Sequence, residues 1–194
     1  MRQAASDDGS ETLGKTNMVL IGFMYSGKTT IGKRIAAVTG RELLDTDSVI
    51  ESEQEMTISE VFEARQESGF RALEREVVRR VTSRDGVVIA LGGGAVLDAR
   101  NVEDARRTGM LFYLKATPAE VAGRADGKGG RPLLEGKGIE ETEEMMKARE
   151  ERYVEAADVV IECGDRDPRG LALEIIADFN NTTTTGRDTG ELGG

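Results

Sequence analysis

A three-layer α/β/α fold around a five-stranded parallel sheet is predicted by three observations. Five short apolar runs recur along the chain: residues 18–23 (MVLIGF), 42–45 (ELLD), 86–91 (GVVIAL), 110–114 (MLFYL) and 158–162 (DVVIE). Each is apolar throughout rather than alternating, the pattern of parallel strands covered on both faces. Helical stretches separate them, which calls for right-handed crossovers.

The first run feeds straight into GFMYSGKTT, residues 22–30, and a helical stretch follows over 30–38. The loop fits G-x-x-x-x-G-K-[ST], with Gly22, Gly27, Lys28 and Thr29 in the specified places. Successive backbone N–H groups of such a loop point at phosphate, and the next helix adds its positive end. Tyr25, Ser26, Gly27, Lys28, Thr29 and Thr30 are therefore the expected nucleotide-binding residues. Lys28 can reach the β- and γ-phosphates, and the Thr29 hydroxyl can ligate Mg²⁺. Tyr25 is bulky for its slot. Its side chain can point outward while its N–H points in, at a cost of order 1 kcal/mol if the slot demands a left-handed φ.

The second run ends in Asp45-Thr46-Asp47. Functional groups gather at the carboxyl ends of parallel strands. Both aspartates are thus expected near the γ-phosphate, one holding Mg²⁺ through water and one accepting a proton from an attacking hydroxyl. The alternative is a polar strand end that caps the helix starting near Ser48. With no histidine in the chain, an aspartate base is the expectation.

Two connections exceed simple crossovers. Residues 48–84 read as two or three helices, and Thr57-Ile58-Ser59-Glu60 has the capping-box form. Residues 122–138 are glycine-rich and basic, with Arg124, Lys128 and Arg131, and are expected to form a mobile lid.

Composition bounds the rest. The 194 residues are 32% charged and 38% hydrophobic, which suits one soluble domain. No run is long enough to span a bilayer, and the N-terminal MRQAASDDGSETLGKT has no apolar signal core. Residues 1–16 are expected to be a disordered lead, and FNNTTTTGRDTGELGG (disordered from 180 onward) a polar tail that buries nothing. A single cysteine, Cys163, excludes an intrachain disulfide framework and suits the cytoplasm. The net charge of −10 argues against a nucleic-acid partner.

Further motifs complete a constellation: Gly69-Phe70-Arg71 with Glu74 one turn on, Gly92-Gly93-Gly94 after the third run, Arg131-Pro132-Leu133-Leu134, and Arg149 with Tyr153 four residues later. With GFMYSGKTT, LLDTD, GFRALE, LGGGAV and RPLL in this order and spacing, residues 17–179 resemble the shikimate kinases, small relatives of the nucleoside monophosphate kinases. The resemblance implies a P-loop fold with a helical substrate-binding insertion, and MgATP phosphorylation of the shikimate 3-hydroxyl on the path to chorismate and the aromatic amino acids. It implies roles as well. Asp47 would bind the acceptor hydroxyls and act as base, with Lys28 and Arg131 as the other catalytic groups. Arg71 and Arg149 would clamp the shikimate carboxylate, Gly92, Gly93 and Gly94 would line the acceptor, and Glu74 would orient Arg71. Asp45 would join Thr29 at the metal. Arg124, Arg131 and Arg166 would complete the nucleotide site, with Arg124 and Arg166 flanking adenine. A monomer is expected. Another small-molecule kinase, of gluconate or nucleotide type, and a non-catalytic binding relative stay open as alternatives.

Overall fold

A computed structural model describes residues 15–125 and 138–185. Five strands, β1 (Asn17–Ile21), β2 (Leu43–Asp45), β3 (Val88–Ala90), β4 (Gly109–Lys115) and β5 (Val159–Glu162), form one sheet in the order β2-β3-β1-β4-β5. Every pairing is parallel. The expected α/β class and all five strand positions are borne out.

Apolar side chains leave the strands toward both faces. Val19 and Ile21 of β1 enter one core and Met18 and Leu20 the other. Helices α1 (Lys28–Thr39) and α7 (Pro168–Thr185) cover the second face through Ile31, Ile35, Leu171 and Ile175. The first is covered by α2 (Thr46–Gln54), α3 (Ile58–Thr82), α4 (Ala99–Thr108), α5 (Pro118–Ala125) and α6 (Ile139–Ala156). Burial on both sides explains why the strands read as unbroken apolar runs.

The long insertion between β2 and β3 holds α2 and a broken α3. Thr57 and Glu60 close the expected capping box, Thr57 N donating to Glu60 Oε2 at 2.7 Å and Glu60 N to Thr57 Oγ1 at 3.3 Å. Gln66 breaks the helix with φ 58° and ψ 175°. The break has a consequence. Phe62 and Phe70 would stand about 12 Å apart along an unbroken helix, yet their ring centroids lie 4.4 Å apart.

Both expected tails differ from the structure at their inner ends. Lys15 pairs with Asp158 at 2.9 Å and Thr16 N donates to Thr108 O at 2.9 Å. At the other end α7 continues through Thr185, and Phe179 is buried beneath the Arg41 guanidinium. Residues 126–137, most of the expected lid and with it Arg131, lie outside the described residues.

The register aligns the strand ends. Leu20 and Asp45 both pair with Ala90. The loops after β1, β2 and β3 therefore open at one edge. β1, flanked by β3 and β4, is the switch point where an open parallel sheet takes its ligand.

Candidate active site

The loop after β1 turns tightly at the mouth of a cleft. Gly22 has φ 146°, and a Cβ there would sit 2.6 Å from the Leu114 carbonyl oxygen. Gly27 has φ 104°. Tyr25 takes a left-handed φ of 60°. The slot does demand the conformation a tyrosine resists, and packing of its side chain against the core helps hold it there. Lys28 is nearly buried, and its ammonium donates to Gly22 O and Phe23 O, both at 2.8 Å. Those bonds hold the lysine across the loop.

Beside the loop, Thr29 Oγ1 donates to Asp45 Oδ2 at 2.6 Å. The other oxygen of Asp45 caps α2, accepting from Asp47 N at 3.1 Å and Ser48 N at 3.4 Å. Capping and site-building are thus carried by one carboxylate. Tyr25, Gly27, Lys28, Thr29, Thr30, Asp45, Asp47 and Arg124 line the cleft on this side. Arg124 reaches over the loop from α5, donating to Tyr25 O at 3.2 Å and Ser26 O at 3.3 Å.

A second, narrower cleft opens next to it. Arg71, Arg149, Glu74 and Asp47 supply its charges, and Ile58, Phe62 and Phe70 its apolar wall. Arg71 Nη1 donates to Glu74 Oε2 at 2.6 Å, and Glu67 stands 3.3 Å from the other arm. Burial pushes the Glu74 carboxyl above its usual range, and the Arg71 guanidinium acts in the opposite sense. Two buried polar atoms here, Glu74 Oε1 and Arg149 Nη1, find no hydrogen-bond partner among the described residues. Unpaired buried groups are costly, and here one is an acceptor and the other a donor.

The triple glycine forms the floor between the clefts, each position for a different reason. A Cβ at Gly92 would press on Asp47 Oδ1 at 2.7 Å and Glu74 Oε1 at 2.9 Å. One at Gly93 would meet Met24 Cγ at 2.9 Å, and one at Gly94 would overlap the Arg71 guanidinium. Gly93 and Gly94 line the second cleft, whereas Gly92 does not. Its N–H is taken by Thr46 Oγ1 at 2.8 Å.

Most of the expected residues converge here, and besides Gly92 three stand apart. Ser26 is buried within the loop, its hydroxyl beside Gly22. Arg166 does not line either cleft described above. It is half-exposed and pairs with Glu174, and its Nη1 donates to Glu162 O at 3.2 Å. Its charge still reaches buried Cys163, as does that of Arg124. Arg131 lies outside the described residues. Sequence reading assigned no role to Thr46, Met24 or Tyr153. Thr46 sat in plain view between the two aspartates, but only the β2–β3 register reveals its bond to Gly92.

A phosphate loop at the switch point of a parallel sheet, beside a second cleft that carries two arginines and two carboxylates, fits an ATP-dependent small-molecule kinase. The comparisons with known proteins agree. A family profile described as shikimate kinase matches residues 24–180. The chain is 38% identical over 161 residues to the shikimate kinase of Nitrosococcus oceani, covering 82% of this chain and 85% of that one. It is 44% identical over 153 residues to the shikimate kinase of Symbiobacterium thermophilum, covering 77% and 87%. Acinetobacter baumannii shikimate kinase in complex with shikimate superposes with a TM-score of 0.82 at 36% identity, over 86% of this chain and 94% of that one. The chain belongs to the shikimate kinase family. Among the described residues, no helix is long and apolar enough to cross a membrane.

Proposed function

We propose that this chain transfers the γ-phosphoryl group of MgATP to the 3-hydroxyl of shikimate. One observation carries the reading: Asp47, Met24 and Gly93 line both clefts, so a carboxylate stands where the phosphate side and the acceptor side meet. A phosphoryl transfer needs a proton acceptor at that junction.

Shikimate offers a carboxylate and hydroxyls on a ring. Arg71 and Arg149 suit the carboxylate, because a planar guanidinium pairs with it through parallel N–H bonds. Glu74 holds Arg71 in place. Ile58, Phe62 and Phe70 cover the ring. Asp47 then takes the hydroxyl proton as the oxygen attacks, while Lys28 and the loop N–H groups surround the transferring phosphoryl. The all-oxygen pair of Thr29 and Asp45, held together by their hydrogen bond, fits magnesium, and these two residues would hold it. The metal, when bound, neutralises charge on the phosphates. Arg124 lines the phosphate-side cleft and suits the nucleotide, and we extend that role to Arg166 and Arg131.

The test is ADP release by purified protein with MgATP, alone and with shikimate, gluconate or nucleoside monophosphates. Stimulation by shikimate alone is expected. Stimulation by a different acceptor would keep the kinase and overturn the substrate. ATP binding without turnover on any acceptor would favour the non-catalytic alternative.

A further inference from the structure

Tyr153 is buried, aromatic and without a part in the chemistry described so far. It follows Arg149 by four residues on α6, so both side chains leave the helix on one face. Its ring stacks on Tyr113 of β4, with centroids 5.0 Å apart and planes 13° apart. Its hydroxyl donates to the carbonyl oxygen of Gly93. Burial drives the phenol far above its usual range, while the charge of Arg149 and its side-chain hydrogen bond to the phenol act in the opposite sense, so it stays an O–H donor at working pH.

The Gly93 carbonyl belongs to the same planar peptide group as the Gly94 N–H. In a trans peptide these two point opposite ways. A hydroxyl that holds the carbonyl on one side therefore turns the N–H to the other. Gly94 lines the acceptor cleft, and the Arg71 guanidinium lies directly against it. The other carbonyls of the turn are tied by backbone: Gly92 O accepts from Ala95 N and Gly94 O from Leu97 N, both at 3.0 Å. Between two glycines a peptide flip meets little steric resistance. A flipped Gly93 carbonyl would face Arg71 and take the bonds meant for an acceptor carboxylate.

We propose that Tyr153 is a positioning residue that locks the Gly93–Gly94 peptide, keeping the Gly94 N–H aimed at the bound acceptor and the Gly93 oxygen away from Arg71. The inference rests on the second cleft being the shikimate site. It makes α6 a two-point device, with Arg149 on the ligand and Tyr153 behind the floor.

Tyr153→Phe keeps the ring stack and deletes only the hydroxyl. The expected result is a KM for shikimate raised about tenfold, with KM for ATP and kcat within about twofold of the parent. In a double-variant cycle with Arg71→Lys, the two effects on shikimate KM should fall short of additive, because both act on one subsite. A merely structural role predicts additivity, with a fall in Tm and a rise in both KM values, and would overturn the proposal. So would an unchanged shikimate KM. If the variant did not fold, the parent still decides: saturating shikimate should shift the Gly94 amide resonance and slow its hydrogen exchange, and an unaffected Gly94 amide sinks the idea. A parent that turns over gluconate or a nucleotide instead would fail the substrate reading, which the ADP-release panel detects separately.

Discussion

Thr29 at the start of α1 and Asp45 at the end of β2 are joined side chain to side chain by a 2.6 Å hydrogen bond. The remaining oxygen of Asp45 caps α2. Asparagine caps a helix about as well as aspartate but brings no charge. Asp45→Asn should therefore leave stability within about 0.5 kcal/mol of the parent. The magnesium concentration for half-maximal activity should rise about tenfold, as for other supports of a metal's ligand shell. A magnesium titration at fixed ATP, alongside thermal melts, checks both. Equal magnesium dependence would remove Asp45 from the metal site.

The triple glycine invites a paired test. Neither Gly92 nor Gly94 has a positive φ, so alanine meets no backbone strain at either position. Its methyl group meets different neighbours. At Gly94 it displaces Arg71, and KM for shikimate should rise at least about tenfold, the usual scale of local overpacking. At Gly92 it displaces Asp47 and Glu74, and kcat should fall by about a hundredfold, as expected for a misplaced base. Steady-state kinetics on both variants decide. Identical profiles would show that the substitutions merely disturb the turn.

Glu74 links stability to function with opposite signs. Its folded pKa is raised by burial above the ordinary 4.5, so its contribution to stability is complete below that value and is lost as pH rises through the folded pKa. Glutamine cannot ionise. Glu74→Gln should melt higher than the parent at pH 7, with the gap closing as pH falls to 4.5 and below. Arg71 at the same time trades a charged partner for a neutral one, and KM for shikimate should rise about fivefold. Melting curves across pH with kinetics at pH 7 test this. A variant less stable at pH 7 would mean that the Arg71 pair outweighs burial.

Tyr25 pays for its place with a left-handed φ of 60°. Tyr25→Ala and Tyr25→Gly both lose the packed ring, but alanine keeps the Cβ that resists this φ. The glycine variant should be the more stable of the two by about 1 kcal/mol. Urea unfolding of the pair isolates the backbone cost. Equal midpoints would mean that the loop relaxes once the ring is gone.

Much of this protein was legible in the chain. Unbroken apolar runs at residues 18–23 and 110–114 meant strands covered on both faces, because period and burial follow from side-chain chemistry. The phosphate loop was legible because its glycines and Lys28 act through backbone geometry local to nine residues. Asp47, Arg71 and Arg149 could be singled out by motif. What they touch could not. The break at Gln66 that brings Phe62 against Phe70, the bond from Thr46 to Gly92 and the hold of Tyr153 on Gly93 join residues 8, 46 and 60 positions apart. Such contacts depend on strand register and helix packing, which sum over the whole core rather than residing in any window of sequence. By itself the sequence determined the strands, the phosphate loop and the chemistry available to the site. Tertiary structure alone decided which carboxylate caps and which faces the junction, which glycine is floor and which is lining, and where each N–H points.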